Sequence, residues 1–102
     1  MRDKLTSLSG AAACVASGAS IVMSANMQRS PMALLRELVR NRVANIRLIG
    51  VTGGELNIDF LVGAGAVGVV DTCSVTLGEF ARTGPNFARL LKAGRVRSLD
   101  NT

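Results

Sequence analysis

Apolar runs separated by amphipathic segments are the clearest pattern in this chain, and they predict strands that alternate with helices. Residues 20–25, 45–51 and 66–70 are nearly continuous apolar runs, which is typical of strands buried on both faces of a parallel sheet. Residues 95–99 alternate polar and apolar side chains, which predicts a strand at the edge of that sheet.

The helix predicted between the first two strands has the strongest helical pattern. Ser30 and Pro31 form the N-cap and N1 pair with which many helices begin. Arg36, Glu37 and Arg40 are expected to face outward, opposite an apolar side. The apolar side chains that fall along the inward side are Met32, Leu35, Val39 and Val43, flanked by Leu34 and Leu38.

Three shorter helices complete the predicted elements. One covers residues 8–16 and stops at Gly18, another covers residues 55–62, and Pro85 begins the last, which ends before Gly94. The side chains of the last helix expected to point inward are Phe87, Leu90 and Leu91. Strand and helix therefore alternate with short links, which predicts an α/β fold with an open, mainly parallel sheet and helices on both faces.

The composition fits one small domain, residues 1–102, with a surplus of apolar residues. Of the 102 residues 48% are apolar and 19% are charged, and the mean hydropathy is +0.34. A monomer with this balance is expected to expose an apolar face, which usually marks a partner or a missing part of the fold. We therefore predict poor solubility or oligomerisation.

The positive charge does not by itself indicate a nucleic-acid-binding protein. Twelve Lys and Arg outnumber seven Asp and Glu, which gives a net charge of +5. The basic residues are spread along the chain without a run, and only three aromatic residues are present to stack on bases. An anionic small ligand or ordinary solvated faces account better for this spacing, so we expect no nucleic-acid partner.

The residue types available exclude several kinds of site. Two cysteines without any histidine cannot complete a zinc site, and a catalytic thiol at Cys14 or Cys73 has no histidine as its base. We predict no metal site, a reducing compartment and a cytoplasmic protein. Residues 11–16 lack the leucine-rich centre of a secretion signal, and no apolar run is long enough to span a membrane.

A glycine pattern at residues 63–68 matches the dinucleotide fingerprint G-x-G-x-x-G but not its context. A predicted helix precedes it and a valine-rich strand follows, whereas pyrophosphate binding requires the reverse order. We interpret the glycines as a helix-to-strand turn and predict no bound cofactor.

The most site-like segment is the stretch of residues 17–35, which predicts a buried strand, a polar loop and a proline-started helix. Open α/β sheets hold ligands at such loops, because the carboxyl ends of their strands meet there. Glu79 is the one carboxylate in a comparable loop; a desolvated carboxylate can act as a nucleophile, but a solvated or capping role is favoured. No catalytic residue is assigned.

Several segments in this order resemble the A-type (alpha) subunit of family I CoA-transferases, most closely the glutaconate CoA-transferase branch. The resemblance covers nearly the whole chain and corresponds to the N-terminal part of such a subunit. The segments that carry it are RDKLTSL, SGASIVM, SANMQRSPMALLREL, NIRLIGVTGG, ELNIDFLVGAGAV, LGEF, PNFARLLKAG and RVRSLD.

The resemblance implies a reaction that moves CoA between an acyl-CoA and a carboxylic acid, with coenzyme A as a substrate. It also implies a B-type subunit as partner, which carries the catalytic glutamate, so the isolated chain is expected to be inactive. This chain is expected to supply loops around the acyl site. The residues of these loops are Ser24, Ala25, Asn26 and Arg29 in the first, Thr52, Gly53 and Gly54 in the second, and Ser74, Gly78 and Glu79 in the third.

The chain also departs from the family pattern. Ser24 and Ala25 stand where the family usually has two glycines, Gln28 stands in place of a histidine, and A-type subunits are typically more than twice as long. We therefore expect a fragment, a truncated gene product or a degraded copy. Two alternatives remain: a non-catalytic subunit or binding module that retains the fold, and an unrelated small α/β domain that binds anions.

Overall fold

The computed structural model describes residues 3–24, 30–51 and 53–100, which form one four-stranded parallel sheet and four helices. The strands stand in chain order across the sheet, and every neighbouring pair is parallel. The strands are β1 (Ser20–Ser24), β2 (Ile46–Val51), β3 (Val67–Thr72) and β4 (Arg97–Asp100), and the helices are α1 (Leu8–Ala12), α2 (Met32–Arg40), α3 (Leu56–Gly63) and α4 (Pro85–Lys92).

The predicted order of strands and helices is confirmed, with differences at several boundaries. Helix α1 ends at Ala12, earlier than predicted, although the Ser7 side chain does cap its start by accepting a hydrogen bond from the Gly10 amide. Helix α2 begins at Met32, and its N-cap residue is Pro31. The prediction that Ser30 is the N-cap residue is therefore wrong. The reason is local: the Met32 amide donates to the Ser30 carbonyl at 2.8 Å, which makes a tight turn before the helix.

The helices cover one face of the sheet. Each strand is followed in the chain by its neighbour in the sheet, and the order advances across the sheet in one direction. Because crossovers between parallel strands are right-handed, every crossover helix lies on the same face of the sheet. Helices α1, α2, α3 and α4 contact one another in that order as a single layer. The fully buried side chains lie between this layer and the sheet: Leu35, Leu38, Ile46, Leu48, Ile58, Leu61, Val62 and Val70.

The opposite face of the sheet is uncovered by the described residues, whose helices all pack on the first face. The strand register places Val22, Ile49 and Leu99 on this face. Val22 is 62% exposed and Val51 is 49% exposed, although parallel sheets are normally buried on both faces. Buried Asp71, which is paired with Arg47, lies on the same face.

The start of α4 is held by a carboxylate from α3. Asp59 is 3% exposed, and its oxygens accept hydrogen bonds from the Phe87 amide at 2.8 Å and from the Asn86 side chain at 3.1 Å. A Cβ atom on Gly84 would collide with the same carboxylate, so the chain approaches it closely at this glycine. Asp59 therefore satisfies free amides at the first turn of α4 and fixes α4 against α3.

Within the described ranges, none of the helices is long and apolar enough to cross a membrane.

The Asp59 contacts generate a stability prediction. Asp59→Ala leaves the buried Phe87 amide without its acceptor and is expected to lower the free energy of unfolding by about 3 kcal/mol in urea denaturation. Asp59→Asn keeps one acceptor oxygen and is expected to cost less. Exposed Asp3 is the control, since Asp3→Ala should change stability by less than about 0.5 kcal/mol. Equal losses for Asp59→Ala and Asp3→Ala would contradict the capping role.

The uncovered face generates a second prediction. The double variant Val22→Thr, Val51→Thr keeps the β-branched shape of both side chains but makes the exposed face more polar. It is expected to reduce self-association in concentration-dependent light scattering and to change unfolding by less than about 1 kcal/mol. Val70→Thr, in the core, is the contrasting variant and should cost about 2 kcal/mol. Unchanged light scattering of the double variant would show that this face does not drive association.

Candidate functional site

The carboxyl ends of β1, β2 and β3 lie side by side at one edge of the sheet. Ser24, Val51 and Thr72 are the last residues of these three strands, and Ser24 lies beside Val51 in the register. Because the strands are parallel, the loops that follow them leave from the same edge. This edge, from Ser24 through residues 53–54 to residues 73–76, is called the carboxyl-edge site below.

A short backbone bridge joins the second and third loops of the carboxyl-edge site. Gly54 pairs with Val75 in parallel, because the Gly54 amide donates to the Ser74 carbonyl at 2.7 Å and its carbonyl accepts from the Thr76 amide at 2.9 Å. The bridge extends the pairing of β2 and β3 beyond their ends. It therefore fixes the backbone of the two loops relative to each other.

Close backbone approach at Gly50 shapes the turn that leads into the second loop. A Cβ atom on Gly50 would lie 2.5 Å from the Gly53 carbonyl oxygen and 2.7 Å from the Thr72 hydroxyl. The same hydroxyl donates to the Gly50 carbonyl at 3.3 Å. Gly53 has φ +103°, which is a backbone conformation that favours glycine. Both glycines are therefore required by the path of the chain.

Asn57, in the first turn of α3, connects the first strand to the second loop. Its side-chain amide donates to the Ser24 carbonyl at 3.0 Å, and its side-chain oxygen accepts from the Ile58 amide at 2.9 Å. The residue is 1% exposed, so these hydrogen bonds are made away from water. The end of β1 is thereby attached to the helix that begins directly after the second loop.

The third loop continues into an exposed turn. Phe80 donates its amide to the Leu77 carbonyl at 3.0 Å, Gly78 has φ +60°, and Phe80 is 74% exposed. Glu79 lies in this turn with an exposed side chain, and it makes no hydrogen bond or ion pair with any described residue. The chain returns to the sheet where the Gly84 amide donates to the Val75 carbonyl at 2.8 Å.

The structure brings together part of the predicted site. Gly53, Gly54 and Ser74 are in direct contact, and Ser24 is attached to the same edge through Asn57. Gly78 and Glu79 lie farther along the third loop, in the exposed turn. The remaining predicted site residues lie outside the described residues: Ala25, Asn26, Arg29 and Thr52.

Sequence reasoning missed three residues that build this edge, namely Gly50, Asn57 and Asp59. Asn57 had a usable signal, because asparagine near a helix start often bonds to local backbone amides. Asp59 also had one, because it is the single charged residue within α3. Gly50 had no signal in the sequence, because the close approach of Thr72 to Gly50 depends on the register of β2 and β3.

The described groups of the carboxyl-edge site are mostly neutral and polar. The Ser24, Cys73 and Ser74 side chains are exposed there, whereas Gly53 is buried beneath Ser74. Nowhere in residues 3–24, 30–51 and 53–100 do three or more His, Cys, Asp or Glu side chains cluster closely enough to hold a metal ion. These groups can form hydrogen bonds to a ligand.

The comparisons with known proteins identify the fold. No protein-family model matches the sequence, and no curated protein sequence matches it significantly. Among solved structures, glutaconate coenzyme A-transferase from Acidaminococcus fermentans matches with a TM-score of 0.83 and 21% identity, over 98% of this chain and 32% of that chain. A variant of the decarboxylase AibA/AibB matches with a TM-score of 0.75 and 24% identity, over 95% of this chain and 38% of that chain.

These matches confirm the fold implied by the sequence resemblance. The chain has the open parallel α/β fold of these two proteins and spans between about a third and two fifths of the length of each matched chain.

The glycines of the carboxyl-edge site provide a matched pair of variants. Gly50→Ala places a methyl group against the Gly53 backbone and is expected to cost about 3 kcal/mol of unfolding free energy. Gly54→Ala meets the Ile58 side chain, which is buried but can shift more readily than backbone, and should cost less, about 2 kcal/mol. Urea denaturation of both variants measures the difference. A Gly54→Ala variant that is less stable than Gly50→Ala would contradict the described turn.

Proposed function

We propose that this chain takes part, with a B-type subunit, in moving CoA between an acyl-CoA and a carboxylic acid. The observation that carries the proposal is the fold likeness to glutaconate coenzyme A-transferase over nearly the entire chain. The ordered sequence segments that resemble A-type subunits support it independently. The place of this chain in the proposed enzyme is the N-terminal part of an A-type subunit.

In this proposal the carboxyl-edge site forms walls of the acyl site. The Ser24 and Ser74 hydroxyls are exposed at this edge and can donate hydrogen bonds to an acyl or carboxylate oxygen. Gly53 lets Ser74 lie close against the second loop, because a Cβ atom on Gly53 would be 3.1 Å from the Ser74 hydroxyl oxygen. Ala25, Asn26, Arg29 and Thr52 are included in the proposed acyl-site loops on the sequence resemblance alone.

The chemical step is assigned to the partner. In the proposed reaction a glutamate of the B-type subunit attacks the thioester carbonyl, and the C–S bond breaks to release the CoA thiolate and leave a mixed anhydride. The thiolate then attacks the glutamyl carbonyl of the anhydride and releases the first carboxylate, which leaves a glutamyl-CoA thioester. The receiving carboxylate takes CoA from this thioester by the same two steps in reverse.

Glu79 does not suit the role of nucleophile. Its side chain is exposed in the turn after the third loop and has no described partner to position it, whereas a nucleophilic carboxylate is held in place and shielded from water. Asp59 is committed to the amides at the start of α4. Neither Glu79 nor Asp59 therefore suits the nucleophile, which supports a binding role for the chain.

A non-catalytic subunit or binding module is the second candidate. It is favoured by the neutral side chains exposed at the carboxyl-edge site, which are Ser24, Cys73 and Ser74. Such a module would keep the ligand-facing loops and lack turnover.

A transfer assay separates the two candidates. The purified chain is incubated with acetyl-CoA and glutaconate, alone and with a B-type CoA-transferase subunit, and glutaconyl-CoA is measured by mass spectrometry. We expect no product from the chain alone and product from the mixture. Ser74→Phe should raise the KM for glutaconate about tenfold or more by crowding the acyl site, whereas Ser9→Phe, on exposed α1, should leave it unchanged.

Three outcomes would decide against parts of the proposal. Product from the chain alone that disappears in Glu79→Gln would place the nucleophile in this chain. A mixture that forms a stable complex but yields no product would favour the non-catalytic module. Absence of any complex with B-type subunits would contradict both the partner and the activity.

A further inference from the structure

A cavity lies at the edge of the sheet opposite the carboxyl-edge site. It has a volume of about 290 Å³ and is bounded by the end of α3, the start of β3 and the second half of α4. Val67, the first residue of β3, lines it, so the cavity opens at the amino end of that strand. It is called the amino-edge cavity below.

The wall of the amino-edge cavity is partly apolar. Val62, Val67 and Leu90 line it, together with the glycine-rich turn at residues 63–65. A Cβ atom on Gly65 would meet no atom within 4 Å, so this turn is open toward the surroundings. Val62 and Val67 are almost fully buried, so the half-buried Leu90 presents most of the apolar surface that a small ligand can contact, and the cavity volume is at the lower limit for ligand pockets.

Two arginines, Arg89 and Arg95, complete the lining. Arg89 donates one hydrogen bond to the Asn86 side-chain oxygen at 3.2 Å, which leaves most of its donors unused. The Arg95 side chain makes no ion pair with any residue in the described ranges. Among the described residues, no Asp or Glu lines the cavity.

These arginines are not required to cap the helices that end nearby. The Phe60, Leu61 and Val62 carbonyls at the end of α3 already accept hydrogen bonds from backbone amides. The carbonyls of residues 89–91 at the end of α4 do so as well, from the amides of residues 93–95. Basic side chains commonly interact with free terminal carbonyls, but the carbonyls of residues 60–62 and 89–91 are already occupied by backbone amides.

We propose that the amino-edge cavity binds a small organic anion, a carboxylate carried on an apolar body. Two guanidinium groups are well suited to hold a carboxylate, since arginine presents paired donors that match its two oxygens. The Leu90 side chain would contact the apolar body. This site is separate from the proposed acyl site, because the two lie at opposite ends of the strands.

The test is a titration of the ¹⁵N-labelled chain with benzoate, followed by the amide signals of residues 63–65. Saturable shifts at these signals are expected, with a dissociation constant on the order of 1 mM. Arg89→Gln with Arg95→Gln should weaken binding about tenfold or more, since charge-assisted hydrogen bonds are lost. Arg36→Gln with Arg82→Gln removes the same charge from exposed positions that do not line the cavity, and it should leave binding unchanged.

Two further ligands separate charge from apolar contact. Benzyl alcohol has the same ring without charge, and inorganic phosphate has charge without a ring; both are expected to bind at least tenfold more weakly than benzoate. Equal binding of either one would overturn the proposal, as would shifts at Gly53 and Gly54 instead, or no saturable shift. Because the readout is binding at residues 63–65, it is independent of CoA transfer.

Discussion

The hydrogen bonds of Asn57 and the backbone bridge at Gly54 hold the carboxyl edge of this sheet in one arrangement. Asn57 joins the Ser24 carbonyl to the first turn of α3, and Gly54 joins the second loop to Ser74 and Thr76. Without these contacts, the end of β1 and the second and third loops would not be joined to one another. The proposed acyl site depends on them, because a ligand that contacts several loops requires their relative positions to be fixed.

The order of the strands explains why the fold is one-sided. Each crossover moves in the same direction and is right-handed, so the helix layer forms on one face and the apolar side chains of Val22 and Val51 remain exposed on the other. A parallel sheet is normally covered on both faces. This geometry agrees with the high apolar content of the sequence, and it gives the expected self-association a location, namely the uncovered face.

The sequence predicted those features that depend on local pattern. The apolar runs located β1, β2 and β3, and Pro85 marked the start of α4 because its fixed φ and missing amide suit a first helical turn. Ser30 was misassigned as an N-cap, since a turn between the Ser30 carbonyl and the Met32 amide replaces the cap. Leu91 was predicted to point inward but is 41% exposed, because α4 packs on one side only. The roles of Asn57 and Asp59 depend on contacts between distant residues, which helical and strand periodicity do not specify.

The most direct test of the shared edge is native-state hydrogen exchange of the chain and its Asn57→Ala variant. If the end of β1 and the second and third loops form one cooperative unit, the Ile58, Gly54 and Thr76 amides should lose protection together, by a similar factor. The Ile46 amide, which donates from β2 to the Ala66 carbonyl, should keep its protection. A loss confined to Ile58 would show that the loops are held independently, and it would contradict the single carboxyl-edge site.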